Sequence, residues 1–150
     1  MAARYQFMLI GQIGAGKTSL FNQIEGWGGA AVKTQALNFG CSGIDTPGEY
    51  MSHPRLYHAL ITTAADVNHL IYIHAANRFE SRLPPGFFFI YGNKRVDTVI
   101  TKVDAQDADV PRVREILNQA QFKGRIFETS IFDDSSIQRL KSYLQECKNN

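Results

Sequence analysis

The sequence predicts an α/β fold: a doubly wound sheet of about six strands with one antiparallel edge strand. Short apolar runs alternate with amphipathic helical stretches along all 150 residues. A glycine loop joins the first run to the first helical stretch. No repeat, low-complexity tract or polar linker breaks the pattern, so residues 1–150 read as one domain.

Tyr5 to Ile10 is an apolar run bounded by Gly11, as expected of a strand buried on both faces of a parallel sheet. From Lys17 onward, Leu20, Phe21 and Ile24 share a helical face until Gly26, Trp27, Gly28 and Gly29 end it. Ala36 to Phe39 and Gly43 to Asp45 read as short strands joined by a tight turn, which supplies the antiparallel edge. Pro54 to Ala65 reads as helix and Val67 to Ala75 as a buried strand. The stretch before the next strand, Val96 to Thr101, contains Pro84, Pro85, Gly86 and the apolar run Phe87 to Tyr91, and predicts a reduced crossover. Pro111 suits a first helical turn capped by Asp109, with Val113, Ile116, Leu117 and Ala120 as the apolar face. Lys123 to Thr129 gives the last strand. Ile137, Leu140, Leu144 and Cys147 line a C-terminal helix that starts near Asp133 to Ser136.

Composition excludes several classes. A hydrophobic fraction of 44% with 12 Gly and 5 Pro leaves no room for collagen-like or disordered character. A net charge of +2 with scattered charges points neither to nucleic acid nor to an anionic membrane. Cys41 and Cys147 share no metal-ligand spacing, which suits a reducing compartment. No segment approaches the ~20 apolar residues of a membrane span, and no basic leader precedes Tyr5, so the expected location is the cytoplasm.

Gly11-Gln12-Ile13-Gly14-Ala15-Gly16-Lys17-Thr18 satisfies GxxxxGK followed by Ser or Thr, between a strand and a helix as that motif requires. Glycines turn the backbone so that its amides and the helix start face an anionic phosphate chain. The candidate nucleotide-binding residues here are Gly11, Gly14, Ala15, Gly16, Lys17, Thr18 and Ser19. Lys17 would reach the β- and γ-phosphates, and Thr18 would offer its hydroxyl to Mg²⁺. Thr101-Lys102-Val103-Asp104 directly follows a strand and has the Asn/Thr-Lys-x-Asp pattern. A carboxylate at Asp104 accepts from guanine N1–H and its amino group, whereas adenine presents a lone pair there. Asn93-Lys94-Arg95-Val96-Asp97 is a decoy, because its Asp comes one residue late and the segment precedes its strand.

Asp45-Thr46-Pro47-Gly48 matches DxxG, and Thr34 lies upstream in Gly28 to Gln35. In a nucleotide switch Asp45 holds Mg²⁺ through water, the Gly48 amide bonds the γ-phosphate, and Thr34 ligates Mg²⁺ in the triphosphate state. Alone, DTPG is only a turn; the ordered set of phosphate loop, Thr34, DxxG and Thr-Lys-x-Asp is what points to GTP and GDP. Ser130, after the last strand, is placed to support the base, although its neighbour is Ile131 where such proteins carry Ala.

These residues resemble a small Ras-like GTPase of the P-loop NTPase class, and more closely the EutP/PduV family of ethanolamine- and propanediol-utilisation proteins. The resemblance rests on Gly11 to Phe21, Lys33-Thr34-Gln35-Ala36, Asp45 to Tyr50 and Ser52 to Thr63, the last being the most specific. Leu70 to Asn77 with Ser81-Arg82-Leu83-Pro84 is similar to the ethanolamine branch. The resemblance implies a reduced Ras-like fold, a link to ethanolamine catabolism in bacterial microcompartments, a shell or pathway protein as partner, and an acetate kinase activity. The chain before Tyr5 leaves no room for an encapsulation helix, so placement inside a compartment is not expected.

Departures from the Ras-like pattern set expectations about rate. Glu49 stands where an attacking water is usually oriented by Gln, and Ile13 occupies a phosphate-loop position often held by glycine, so slow GTP hydrolysis is expected. Glu49 either acts as a base or repels the γ-phosphate. His53, Arg55 and His58 follow DTPG on the first helical turns. They are either a solvated helix start or face the γ-phosphate, with Arg55 neutralising charge or binding acetate. Lys17, Glu49 and Arg55 are thus the catalytic candidates, and Thr18, Thr34 and Asp45 the metal ligands. His69 and His74 read as structural, and Phe87 to Phe89 as core in preference to a partner patch. A GTP-switched module is favoured; an ATP-dependent acetate kinase on the same site is the alternative, and a nucleotide held without turnover is a third class.

Overall fold

The computed structural model describes residues 5–12, 14–25, 38–39, 43–46, 54–65, 67–80, 83, 86–91 and 94–149. Ile13, Gly28 to Leu37, Cys41, Gly48, Glu49, His53 and Ser81-Arg82 lie outside the described residues. The strands are β1 (Phe7–Gly11), β2 (Asn38–Phe39), β3 (Gly43–Asp45), β4 (His69–Ala75), β5 (Arg95–Thr101) and β6 (Ile126–Glu128). The helices are α1 (Lys17–Glu25), α2 (Tyr57–Ala64, entered through a 3-10 turn at Pro54–Leu56), α3 (Phe87–Ile90), α4 (Val110–Gln119) and α5 (Asp134–Asn149).

The sheet order is β2-β3-β1-β4-β5-β6. β3, β1, β4, β5 and β6 are parallel, and the two residues of β2 run antiparallel to β3. Strand periodicity divides the core. Met8 and Ile10 of β1, with Leu70 and Tyr72 of β4, face α2, α3 and α4. Phe7 and Leu9, with Ile71 and Ile73, face α1 and α5 through Leu20, Phe21, Ile137, Leu140 and Leu144. Every residue of β1 and β4 is buried, which explains their continuous apolar runs.

The reduced crossover between β4 and β5 contains α3, a single turn started by Gly86 at φ 72°. Aromatic bulk replaces helix length: the Phe87 and Phe88 rings meet at 5.2 Å, Phe88 meets Phe122 at 5.1 Å, and Tyr72 packs on both. Phe89 points the other way and is exposed. The predicted cap at Asp109 is present, its carboxylate accepting from the Arg112 amide at 3.2 Å. Along α4, Val113 and Leu117 are buried, while Ile116 and Ala120 lie at the margin. The last strand, Ile126–Glu128, is shorter than the Lys123 to Thr129 segment predicted for it. Asp133 caps α5 by accepting from the Ser135 amide at 3.1 Å, and Ile137, Leu140, Leu144 and Cys147 are all buried.

Both strand histidines are bonded within the core. His69 joins Tyr5 (Nδ1 to OH 2.6 Å) to Asp97 (Nε2 to Oδ2 2.6 Å), and Asp97 also accepts from the Tyr143 hydroxyl and the Arg125 amide. This network lies at the amino ends of β4 and β5, away from the glycine loop. The Cys147 thiol receives Arg95 Nη1 at 2.7 Å. Among the described residues no helix is long and apolar enough to cross a membrane.

Candidate functional site

The site forms where β1 changes partners, at the carboxyl edge between β3 and β4, the switch point at which doubly wound sheets bind ligands. Gly11 is the last residue of β1 and pairs with Ile73. A Cβ there would stand 2.8 Å from the Ile73 carbonyl oxygen, so the motif's first glycine is required by sheet packing. Gly14 and Gly16 have φ of +80° and +83°, the left-handed turns that bring the chain round to the start of α1. Ala15 is buried between them.

Lys17 opens α1, is 5% exposed, and sets its ammonium 2.6 Å from Asp45 Oδ1. The same Nζ donates to the Thr46 carbonyl. Thr18 donates its hydroxyl to Asp45 Oδ2 at 2.9 Å. The first glycine loop and the DxxG segment therefore meet through side chains predicted separately. A hydroxyl and a carboxylate this close form a hard-oxygen donor pair of the type Mg²⁺ takes, and they fit that ion.

The Thr101–Asp104 segment closes the other side. Thr101 Oγ1 donates to the Ala15 carbonyl at 2.5 Å, and Lys102 Nζ donates to the Gly14 carbonyl at 2.9 Å. Lys102 adopts φ 60°, which carries the chain over the glycine loop. A cavity of about 250 Å³ lies beyond, lined by Gly16, Ser19, Lys102, Asp104, Ile131 and Phe132 among others. Asp104 is exposed at its mouth, and its carboxylate has no hydrogen bond or ion pair among the described residues.

Ser130 is 3% exposed and sits behind the cavity, whose lining comes instead from its neighbours Thr129, Ile131 and Phe132. Its amide donates to Ser136 Oγ at 3.1 Å, and its own Oγ accepts from the Phe132 amide at 3.1 Å. Ser130 and its neighbour Ile131 are marked by the sequence, whereas Phe132, whose amide Ser130 holds, is not. Phe132 is 83% exposed and Ile131 43%. Their signal is an Ile-Phe step in an otherwise polar segment just past a strand's carboxyl end.

Arg55 and His58 are exposed on the 3-10 turn and on α2. Neither side chain has a hydrogen bond or ion pair among the described residues. Thr34, Gly48, Glu49 and His53 lie outside the described residues, so the site's described part consists of the glycine loop without Ile13, Asp45 with Thr46, Thr101 to Asp104, and the loop from Thr129 to Phe132.

Comparison with known proteins agrees with this architecture. The sequence model of the family described as PduV-EutP, ethanolamine utilisation and propanediol utilisation, matches residues 4–146. A Salmonella typhimurium protein named "Probable acetate kinase EutP" is 52% identical over 136 residues, covering 90% of this chain and 86% of that protein. The like-named Escherichia coli protein has the same identity and coverage. Propanediol utilization protein PduV of Citrobacter freundii is 32% identical over 140 residues, covering 93% and 92%.

Among solved structures, translation elongation factor SelB of Methanococcus maripaludis, in complex with the GTP analogue GppNHp, superposes with TM-score 0.71 at 18% identity over 99% of this chain and 35% of its own. Methanosarcina barkeri Roco2, bound to GDP, gives TM-score 0.62 at 16% identity over 97% and 49%. The chain thus spans less than half of those solved chains, and what it shares with them is the P-loop GTPase fold. By the family match and by identity to both branches, the chain belongs to the PduV-EutP family of ethanolamine-utilisation and propanediol-utilisation proteins.

Proposed function

We propose that this protein binds a guanine nucleotide with Mg²⁺ in the cleft between the glycine loop and the Thr101–Asp104 segment, and hydrolyses GTP slowly in the service of ethanolamine utilisation. The observation that carries the reading is the pair of bonds from Thr101 and Lys102 to the carbonyls of Ala15 and Gly14. They hold the Thr101–Asp104 segment against the glycine loop, with Asp104 and Gly16 on one cavity, and this juxtaposition supports the reading.

In this reading the amides of Gly14 to Ser19 take the phosphates and Asp104 accepts from the guanine edge. The Lys102 stem and Phe132 flank the base, and Ser130 acts by fixing the Ile131–Phe132 loop. Lys17 exchanges Asp45 and the Thr46 carbonyl for the β- and γ-phosphates. Thr18, Thr34 and Asp45, the last through water, would hold Mg²⁺, which when bound neutralises charge on the phosphate oxygens. Gly48 donates its amide to the γ-phosphate, and Glu49 and Arg55 act on the attacking water and the developing charge. A shell or ethanolamine-pathway protein at a microcompartment, in the cytoplasm, is the proposed partner of the triphosphate state.

The relatives named as probable acetate kinases favour a second reading: ATP bound on the same loop, with its γ-phosphoryl group passed to an acetate oxygen held by Arg55. Incubation with Mg²⁺ and γ-labelled GTP or ATP, with and without acetate, separates the two. Slow inorganic phosphate release from GTP, indifferent to acetate, supports the first. Acetyl phosphate formed from ATP at a rate set by acetate would replace it with the second.

A further inference from the structure

The chain leaves β4 at Ala75 beside the glycine loop, and the turn that follows is pinned from several sides. The Ala76 amide donates to the Thr101 carbonyl at 2.7 Å, and the Asp109 amide donates to the Ala76 carbonyl at 2.9 Å. Asn77 Nδ2 donates to Asp107 Oδ1 at 3.2 Å, and the Arg112 guanidinium lies 4.3 Å from the centre of the Phe79 ring. Between these fixed points stands Arg78, whose amide donates to the Ala75 carbonyl at 3.1 Å.

A buried relay holds Arg78 from below. His74, 3% exposed, sets Nε2 2.8 Å from the Arg78 carbonyl oxygen and Nδ1 2.8 Å from the Tyr72 hydroxyl. A carbonyl only accepts, so Nε2 carries the proton and Nδ1 accepts from Tyr72. Burial pushes the imidazole below its ordinary range, in keeping with that neutral form.

The backbone is fixed and the guanidinium is not compensated. Its side chain has no hydrogen bond or ion pair among the described residues. Arg78 Nη2 lies 3.5 Å from the point a Cβ on Gly14 would occupy. Gly14 is one of the two left-handed turns of the glycine loop, and Lys102 holds its carbonyl from the other side. An unpaired guanidinium carried on a pinned backbone beside an anion-binding loop is an arrangement that some nucleotide hydrolases use as an arginine in cis.

We propose that Arg78 is a nucleotide-binding residue whose guanidinium bonds the β- or γ-phosphate oxygens of the bound nucleoside triphosphate. This rests on the nucleotide-binding reading above and adds to it a cation supplied by the turn after β4. The sequence alone does not single out Arg78, because no motif marks that position.

The test is equilibrium binding of GTP, GDP and GMP to the full chain and to its Arg78→Ala and Arg78→Lys variants in Mg²⁺, each at low and high salt. Arg78 is exposed, so the variants are expected to melt with the parent protein. The inference expects Arg78→Ala to weaken GTP about tenfold, GDP as much if the β-phosphate is held and less if the γ-phosphate is, and GMP least, with a shallower salt dependence and partial recovery in Arg78→Lys. Equal weakening of all three nucleotides, or none, overturns it. If the parent chain binds no nucleotide, the reading beneath it falls instead, and that outcome is visible before any variant is made.

Discussion

Lys17→Met removes an ammonium group from a position almost sealed from water. Lys17 is 5% exposed and Asp45 is fully buried, with Nζ and Oδ1 2.6 Å apart. Met keeps the length of the side chain and takes away its charge, leaving the Asp45 carboxylate buried without its cation. Breaking one half of a buried pair costs about 3 to 5 kcal/mol. In a domain of this size that lowers Tm by about 10 °C. Adding Asp45→Asn removes the buried negative charge that Lys17 balanced, so the double variant should recover about 2 kcal/mol of the loss or more. Urea and thermal unfolding of the parent, both single variants and the double variant measure this directly. A Lys17→Met protein melting with the parent, or strictly additive losses, would refute the reasoning. The result also bears on the usual test of a phosphate loop, since loss of nucleotide binding in a Lys17 variant is informative only once its fold has been shown intact.

Other perturbations separate fold from site. Phe132→Ala removes an aromatic ring that is 83% exposed, so Tm should not move, while purine nucleotides should bind about tenfold more weakly and inorganic tripolyphosphate equally well, as competition binding will report. Gly11→Ala puts a Cβ 2.8 Å from the Ile73 carbonyl oxygen and should destabilise by about 1 to 3 kcal/mol in urea unfolding. His74 is held below its ordinary 6.5 by burial, so the unfolded chain takes up a proton that the folded chain refuses. Stability from His74 is therefore complete above about pH 6.5 and declines as pH falls through the window below it, and His74→Gln should flatten that slope in urea titrations. For Asp97, burial pushes the carboxyl up, but hydrogen bonds from His69, Tyr143 and the Arg125 amide outweigh it and hold the group below 3.8. Its contribution is present above that value and lost in stronger acid.

What the sequence makes legible is local. The glycine loop, Thr101 to Asp104, and the Asp109 cap with Pro111 each lie in one short stretch whose chemistry depends on near neighbours, and the structure has them in the expected elements. Partnerships between distant stretches are not legible in this way. Nothing near Lys17 announces that it will rest on Asp45 and Thr46, and nothing near Arg78 announces Gly14. The reduced crossover before β5 is legible, but its solution, a single turn whose Phe87 and Phe88 pack against Tyr72 and Phe122, depends on rings from three places. Asp97 reads as one polar residue in a strand; only the fold brings it His69, Tyr143 and the Arg125 amide. Position alone marks Ser130, but not that its Oγ faces away from the cavity to accept from the Phe132 amide.

The proposed nucleotide site depends most on Asp104 reading a guanine base beside the glycine loop. Competition of GTP, GDP and ATP for one labelled nucleotide in Mg²⁺, on the parent chain and on Asp104→Ala, addresses it most directly. Asp104 is exposed and unpaired among the described residues, so its removal should leave the fold intact and act on the ligand alone. The expected result is a guanine preference that falls about a hundredfold in Asp104→Ala, from two charge-assisted hydrogen bonds of about 1.5 kcal/mol each. Equal or tighter binding of ATP, indifferent to Asp104, would contradict it.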